Sequence, residues 1–264
     1  LNYDKNNDDE DAWYYADGSG NLYAGEFKTI KGKKYAFRND GRMVDGLKFI
    51  KEENGGLTVR ADDDPELPFD TEDDFDSSAV DYAKEGYKCY YFGGGDDGAM
   101  RTNKTTVEID GDKFNFYFEK SGGNKGAGKT GEKDDKYYQS GKLIKAGSDE
   151  KYQIINPVYK DPSAAKKELI GYTKYDDVKD LIGSGDHTAL FESKPVTDAN
   201  LSAAGINKKE KDVAELYVPL AGTTEHLLVN TSGKVMDSNG KSKDGNDYYF
   251  VVKNKKVVAI YLEN

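Results

Sequence analysis

The sequence predicts a mainly β protein: stacked β-hairpin repeats, solenoid-like, with a small mixed α/β insertion. Three observations lead there. A block made of an aromatic cluster, a Gly-containing turn, a small apolar strand and a second Gly recurs along the chain. It reads Trp13-Tyr14-Tyr15 … Gly20-Asn21-Leu22 … Gly25 and again Tyr35-Ala36-Phe37 … Gly41-Arg42-Met43 … Gly46. The spacing, roughly 20 residues, is in the range of stacked supersecondary units. Weaker versions follow at Tyr90-Tyr91-Phe92, Tyr137-Tyr138-Gln139 and Tyr248-Tyr249-Phe250. The apolar area comes chiefly from 20 Tyr and 11 Phe in a chain only 36% hydrophobic, which suits short twisted hairpins burying rings. Finally, 29 Gly against 6 Pro fits many tight turns.

Residues 1–50 are the clearest hairpin repeats, after a polar, acidic start at Leu1 to Glu10. Ile30-Lys31-Gly32-Lys33 reads as a turn into the strand Tyr35-Ala36-Phe37. Asn39-Asp40-Gly41 then reads as a turn into Met43-Val44, Asp-Gly being a strong short-range hairpin signal. Residues 51–80 read as an acidic loop or linker, because 61–78 combine acidic residues with Pro65 and Pro68. Residues 81–156 read as diverged hairpins. They contain strands over Tyr87–Phe92 and Val107–Phe118, where Phe114, Phe116 and Phe118 share one face, and a flexible Gly-rich tip from Ser121 to Gly131.

Residues 157–222 read as the α/β insertion with its own modest core. Asp161-Pro162-Ser163 opens a helix through Leu169, and Tyr175, Val178, Leu181 and Ile182 follow helical spacing up to a stop at Gly183. Val213 to Leu220 reads as a strand ending at Pro219. Residues 223–264 return to hairpins: Leu227-Leu228-Val229, a turn at Thr231-Ser232-Gly233, Val235-Met236, then Tyr248–Val252 and Val257–Leu262 joined at Asn254-Lys255-Lys256.

With 264 residues the chain exceeds a typical domain of about 100–150, so two or more structural units are expected. Mean hydropathy is −0.85. The net charge of −11 repels phosphate backbones and anionic headgroups, which excludes nucleic acid as a partner and disfavours the membrane surface. No apolar run approaches the roughly 20 residues that span a bilayer, so no membrane insertion is expected. The chain starts Leu1-Asn2-Tyr3 without an initiator Met or a visible signal peptide, as a processed or trimmed chain would. The single cysteine, Cys89, has no internal disulfide partner and reads as a small buried residue.

The block from Trp13 to Gly46 resembles the cell-wall-binding repeats of Gram-positive surface proteins, which include choline-binding modules and the glucan-binding repeats of glucosyltransferases. The resemblance covers about half of the chain and is absent from 157–222. It implies hairpins stacked in a solenoid, ligands held between consecutive hairpins, and an extracellular, cell-surface or cell-wall location. It also implies a non-catalytic module whose partner is a cell-wall polysaccharide or glucan, with no cofactor. In choline-binding modules three aromatic faces cage a quaternary ammonium. Here Glu26 and Leu47 stand where Trp follows Gly, and Lys34 stands at the head of the second aromatic triplet, which departs from that cage. Gly32-Lys33-Lys34-Tyr35 and Asn39-Asp40-Gly41-Arg42-Met43 are closer to the glucan-type wording.

The candidate ligand-binding residues are Trp13, Tyr15, Tyr23, Tyr35 and Phe37. Flat rings stack on the apolar faces of sugars while Tyr hydroxyls and nearby Asp or Asn meet the sugar hydroxyls. The competing reading is that these rings are the core between hairpins, leaving a spacer or protein-interaction module with repeats that no longer bind.

Asp62-Asp63-Asp64, Glu72-Asp73-Asp74 and the loop Asp237 to Asp247 offer oxygen ligands to a hard cation, but none follows the spacing of a helix-flanked calcium loop. No metal site is expected. Ser184, Asp186 and His187 are too close in sequence for a hydrolytic triad, and no nucleophile elbow is present. Gly93 to Gly98 lacks the Lys-Ser/Thr of a phosphate loop and reads as a hairpin turn. No catalytic residue stands out.

Overall fold

The computed structural model describes residues 12–60, 71–94, 97–148, 150–175, 177–183, 188–222, 225–241 and 248–264. It is mainly antiparallel β, arranged in several sheets. The chain divides into two compact units: Leu1–Thr130 with Tyr138–Lys142, and Gly131–Tyr137 with Leu143–Asn264. No helix among the described residues is long and apolar enough to cross a membrane.

In the first unit β1 (Glu26–Ile30) and β2 (Lys33–Phe37) form a two-stranded sheet. Their turn is Lys31-Gly32, with φ of 49° and 82°, the mirror-image geometry that matches strand twist. The expected Ile30–Lys33 turn is therefore present. Beyond β2 the chain turns over Arg38–Arg42, where the Arg38 N–H donates to the Arg42 carbonyl at 2.8 Å. The strand expected at Met43-Val44 is reduced to a bridge, Phe37↔Met43. Next come β3 (Leu47–Glu53) and β4 (Gly56–Arg60), joined at Asn54-Gly55 with φ of 53° and 76°. β3 pairs on its other side with β5 (Lys88–Tyr91).

Between β4 and β5 lies α1 (Glu72–Glu85). This corrects the expected acidic loop over 51–80, whose ends also fall inside β3 and α1. Thr71 caps the helix: its hydroxyl accepts from the Asp74 N–H while the Asp74 carboxylate accepts from the Thr71 N–H, a capping box. Glu72, Asp73 and Asp74 thus complement the helix dipole, and Gly86 closes it at φ 96°. Phe75, Ala79 and Tyr82, at i, i+4 and i+7, are buried.

β6 (Asn103–Ile109) and β7 (Asp112–Phe118) are joined at Asp110-Gly111, so the strand expected over Val107–Phe118 is a hairpin. Phe116 and Phe118 join Phe49, Phe75, Tyr82 and Cys89 in one core, with Phe114 packed against it. Burial pushes the Cys89 thiol pKa well up, as its structural reading requires. A second core gathers Ala36, Val44, Ile50, Val59, Tyr90 and Phe92. The chain continues through β8 (Gly131–Lys133), β9 (Lys136–Gln139) and β10 (Lys142–Leu143), with Lys142 in register with Phe116 of β7.

In the second unit β11 (Tyr152–Tyr159), β12 (Leu169–Tyr175) and a later strand, β15 (Leu227–Asn230), form a three-stranded sheet. The helix expected from Asp161 to Leu169 is not formed. The Asp161 carboxylate instead accepts the Ser163 N–H at 2.9 Å, and the Lys160 N–H donates to the Glu168 carbonyl at 2.9 Å, closing the β11–β12 loop. A local side-chain turn and cross-strand pairing outweigh the capping signal there. The helix expected before Gly183 is α2 (Val178–Ile182), capped by Asp177 and by Gly183 itself, whereas Tyr175, expected on the same helix, ends β12. After β13 (Phe191–Ser193) comes α3 (Asp198–Ala204), which the sequence reading missed; Thr197 caps it, and only Leu201 and Ala204 are buried.

β14 (Val213–Pro219) agrees with the expected strand. It pairs with β18 (Lys256–Glu263) in a sheet that also holds β16 (Gly240–Lys241) and β17 (Tyr248–Lys253). Leu201, Ala204, Val213 and Leu216 therefore share a core with Val251, Ala259 and Tyr261. The segment 157–222 has no separate core, contrary to expectation, because its strands complete sheets begun on either side of it.

His226 is buried in this unit, its ring 4.6 Å from that of Phe191 and its Nδ1 2.8 Å from Asn156 Oδ1. Desolvation lowers its pKa from 6.5 to about 4. The unfolded chain then binds one more proton between those values. Stability from the neutral ring is whole above pH 6.5, falls as pH drops, and levels off below about 4, a loss of about 3 kcal/mol. Denaturant unfolding at pH 7 and 4.5 should show a steeper acid loss in the natural protein than in His226→Gln. A His226 imidazole resonance titrating near pH 6.5 would contradict the burial.

Candidate functional site

The first aromatic triplet enters a turn whose bridge is Ala16↔Leu22, and the second enters one whose bridge is Phe37↔Met43. The two turns match bond for bond. Asp17 N–H donates to the Asn21 carbonyl as Arg38 N–H does to Arg42, each at 2.8 Å. Gly20 and Gly41 close them at φ 86° and 88°. A third copy of this turn lies in the second unit, bridged Val229↔Val235, with the Asn230 N–H donating to the Lys234 carbonyl at 3.0 Å. Side-chain caps stiffen all three: Asp17 Oδ1 accepts from the Ser19 and Asn21 N–H groups, Asp40 Oδ1 from that of Arg42, and Asn230 Oδ1 from those of Ser232 and Lys234. Those bonds hold the Asp17 carboxyl below its usual range.

In the first unit the two turns are tied together. The Met43 N–H donates to the Trp13 carbonyl at 2.7 Å, so the second turn fixes the backbone of the first triplet. Gly41 lies against it, where a Cβ would be 3.4 Å from the Tyr14 ring. The result is an open pocket of about 400 Å³ lined by Trp13, Tyr14, Tyr15, Ile30, Lys31, Lys33, Tyr35, Phe37, Met43 and Asp97.

Of the five sequence candidates, Trp13, Tyr15, Tyr35 and Phe37 line this pocket. Trp13 and Tyr15 are exposed, at 53% and 41%, whereas Phe37 is buried at 1% and forms its floor. Tyr23 is not in the lining. It stacks on Tyr15, with centroids 5.9 Å apart and planes at 11°, and packs on Phe37 at 5.8 Å. The Lys28 ammonium covers it at 4.5 Å. Tyr23 therefore supports the pocket from behind. Tyr14, of the same aromatic triplet, lines it as well, and the sequence reading missed Ile30, Lys31, Lys33, Met43 and Asp97. The Ile30–Lys33 turn was visible as a turn, but only folding brings it beside the first triplet. Asp97 is also ion-paired with Arg101.

The Lys34 ammonium sits 4.7 Å over the Phe27 ring. With Lys28 over Tyr23, two aromatic faces near these turns are covered by the chain's own cations.

Glu72-Asp73-Asp74 is the first turn of α1, and His226 is a core residue. Asp62–Asp64, Ser184 to His187 and much of the Asp237–Asp247 loop lie outside the described residues. Among the described residues no group of three or more His, Cys, Asp or Glu is placed to hold a metal ion.

Neither a protein-family model nor a curated protein matches this sequence. Among solved structures the chain is similar to choline binding protein F from Streptococcus pneumoniae, in the presence of a peptidoglycan analogue, at 24% identity over 52% of this chain and a TM-score of 0.19. It spans 39% of that protein's length. It is also similar to CbpJ from Streptococcus pneumoniae TIGR4, at 15% identity over 92% of this chain and 83% of that one, with a TM-score of 0.31. A third is the modular autolysin LytC from Streptococcus pneumoniae, at 18% identity over 61% of this chain and 31% of that one, with a TM-score of 0.18. At these scores the superpositions carry no functional inference.

Proposed function

We propose that this chain is a non-catalytic, secreted surface module whose first unit binds a cell-wall polysaccharide or glucan in the ring-lined pocket. The observation that carries the reading is the exposure of Trp13 and Tyr15 at the mouth of a pocket floored by Phe37. Large rings left in water next to Lys31, Lys33 and Asp97 give what a sugar needs: apolar faces to stack on and charged groups for its hydroxyls. The same groups oppose a quaternary ammonium, since Lys31 and Lys33 repel a cation. We further read the matching turns at Ala16–Leu22 and Phe37–Met43 as successive units of one solenoid-like repeat.

The second reading, a spacer or protein-interaction module, is favoured by one observation: Tyr23 and Phe37 are spent on packing. Retention on insoluble peptidoglycan and α-glucan separates the two. The natural chain should be retained on at least one material. Trp13→Ala should weaken retention about tenfold, the factor that about 1.4 kcal/mol supplies, with far-UV circular dichroism unchanged. Retention on neither material would leave only the spacer. Retention unaffected by the substitution would move the site away from this pocket.

A further inference from the structure

Lys142 on β10 is 3% exposed, and its Nζ lies 2.8 Å from Asp76 Oδ2. It also contacts the Glu72 carboxylate. Glu72 and Asp76 are at i and i+4 of α1, so both carboxylates project from one helix face. The ammonium sits 5.0 Å from the Phe114 ring centroid and 6.0 Å from that of Phe75. An amine and a carboxyl thus touch inside a phenylalanine wall, while the second carboxylate stands toward water, Glu72 being 46% exposed against 19% for Asp76.

We propose that Lys142 and Asp76 condense into an intramolecular amide, making this a covalent self-modification site with Glu72 as proton carrier. Glu72 takes a proton from the Lys142 ammonium and frees the Nζ lone pair. Nζ attacks the Asp76 carboxyl carbon, and the tetrahedral adduct breaks its bond to one carboxyl oxygen. Of the three ammonium hydrogens, one stays on the amide nitrogen and two leave with that oxygen as water. Glu72 starts and ends as a carboxylate, and nothing is oxidised or reduced.

Two physical arguments favour this outcome over a lasting ion pair. Contact inside a rigid core places the reacting atoms near attack distance, about 3–3.5 Å, which replaces a bimolecular encounter. A buried ion pair also carries a desolvation cost for each charge, whereas the amide removes both charges and the apolar wall limits return attack by water. The product would staple α1 to β10 across 66 positions of sequence, restricting the unfolded chain as a disulfide does. This inference is independent of the pocket.

Intact-mass spectrometry of the purified full chain after incubation at neutral pH tests it. The natural protein should be lighter than its sequence by one water, and digestion should yield one branched peptide joining the Asp76 and Lys142 segments. Lys142→Arg and Asp76→Ala should each restore the full mass. Asp76→Asn should lose one ammonia instead, reaching the same amide. Glu72→Gln should slow the mass loss at least tenfold. A full-mass natural protein without the branched peptide overturns the proposal, as does a water loss that persists in Lys142→Arg, since that marks dehydration at Asp76 alone. If a variant does not fold, the branched peptide in the natural chain decides.

Discussion

Replacing Phe75 with Ala should lower the stability of the first unit by about 3–5 kcal/mol, the range for removing a fully buried aromatic ring. Phe75 is 0% exposed and central to its core. Its ring meets Phe49 at 5.8 Å and Phe116 edge-on at 5.5 Å, so one truncation removes ring contacts of α1 with both β3 and β7, leaving Tyr82 on Phe49 at 5.0 Å. Folded domains are stable by only about 5–15 kcal/mol, so the loss is a large share of the total. Trp13, the single tryptophan, reports unfolding of this unit by fluorescence in guanidinium chloride. Phe75→Leu, which keeps most of the volume, should cost less than about 1.5 kcal/mol. A loss below about 1 kcal/mol for Phe75→Ala would mean that α1 does not complete this core.

Gly128→Ala should be about as damaging, at about 4 kcal/mol or more, for a reason unrelated to side-chain packing. A Cβ on Gly128 would stand 2.3 Å from the Ser140 carbonyl oxygen and 2.8 Å from the Gly141 nitrogen, both backbone atoms. Relief needs the two chain segments to separate. That would break the bonds from the Gly128 N–H to the Cys89 carbonyl and from the Gly141 N–H to the Lys129 carbonyl, each 2.7 Å. Gly123, five positions earlier in the same Gly-rich run, has no atom within 4 Å of an added Cβ. Gly123→Ala should therefore change stability by no more than about 0.5 kcal/mol. Thermal melts of the two variants side by side test the contrast. Equal melting temperatures would show that the segments around Gly128 and Ser140 can separate freely.

That pair of glycines also marks how far the sequence could be read. The run Ser121–Gly131 looks uniform as text and reads as a flexible tip. In the structure its second half is held by backbone bonds, with Ala127 buried, while Gly122 and Gly123 face open space. Which glycine is crowded depends on Ser140, a residue brought there by pairing distant in sequence. The helix α1 is a different kind of miss, because its signals were local. Thr71 and Asp74 write a capping box, Phe75, Ala79 and Tyr82 write one face, and Gly86 writes the stop. The acidic first turn masked them by resembling a solvated loop. Asn54-Gly55 and Asp110-Gly111 were equally local hairpin signals that composition hid.

The pocket shows the same division. Trp13, Tyr15, Tyr35 and Phe37 were legible together because they belong to one repeated motif. Lys31, Lys33 and Asp97 were not, since nothing in the motif says which turn comes to rest beside the rings.

By itself the sequence determined the β class, the aromatic cores, the ends of β15, β17 and β18 to within one residue, and the recurring turn. These follow from short-range chemistry: glycine's access to positive φ, side-chain caps, and period-two alternation. Only the tertiary structure decided that 157–222 completes neighbouring sheets, that Tyr23 backs the pocket rather than lining it, and that Lys142 meets Asp76 and Glu72. Each of those depends on which distant surface a face is buried against, and burial free energy is set by the partner as much as by the residue.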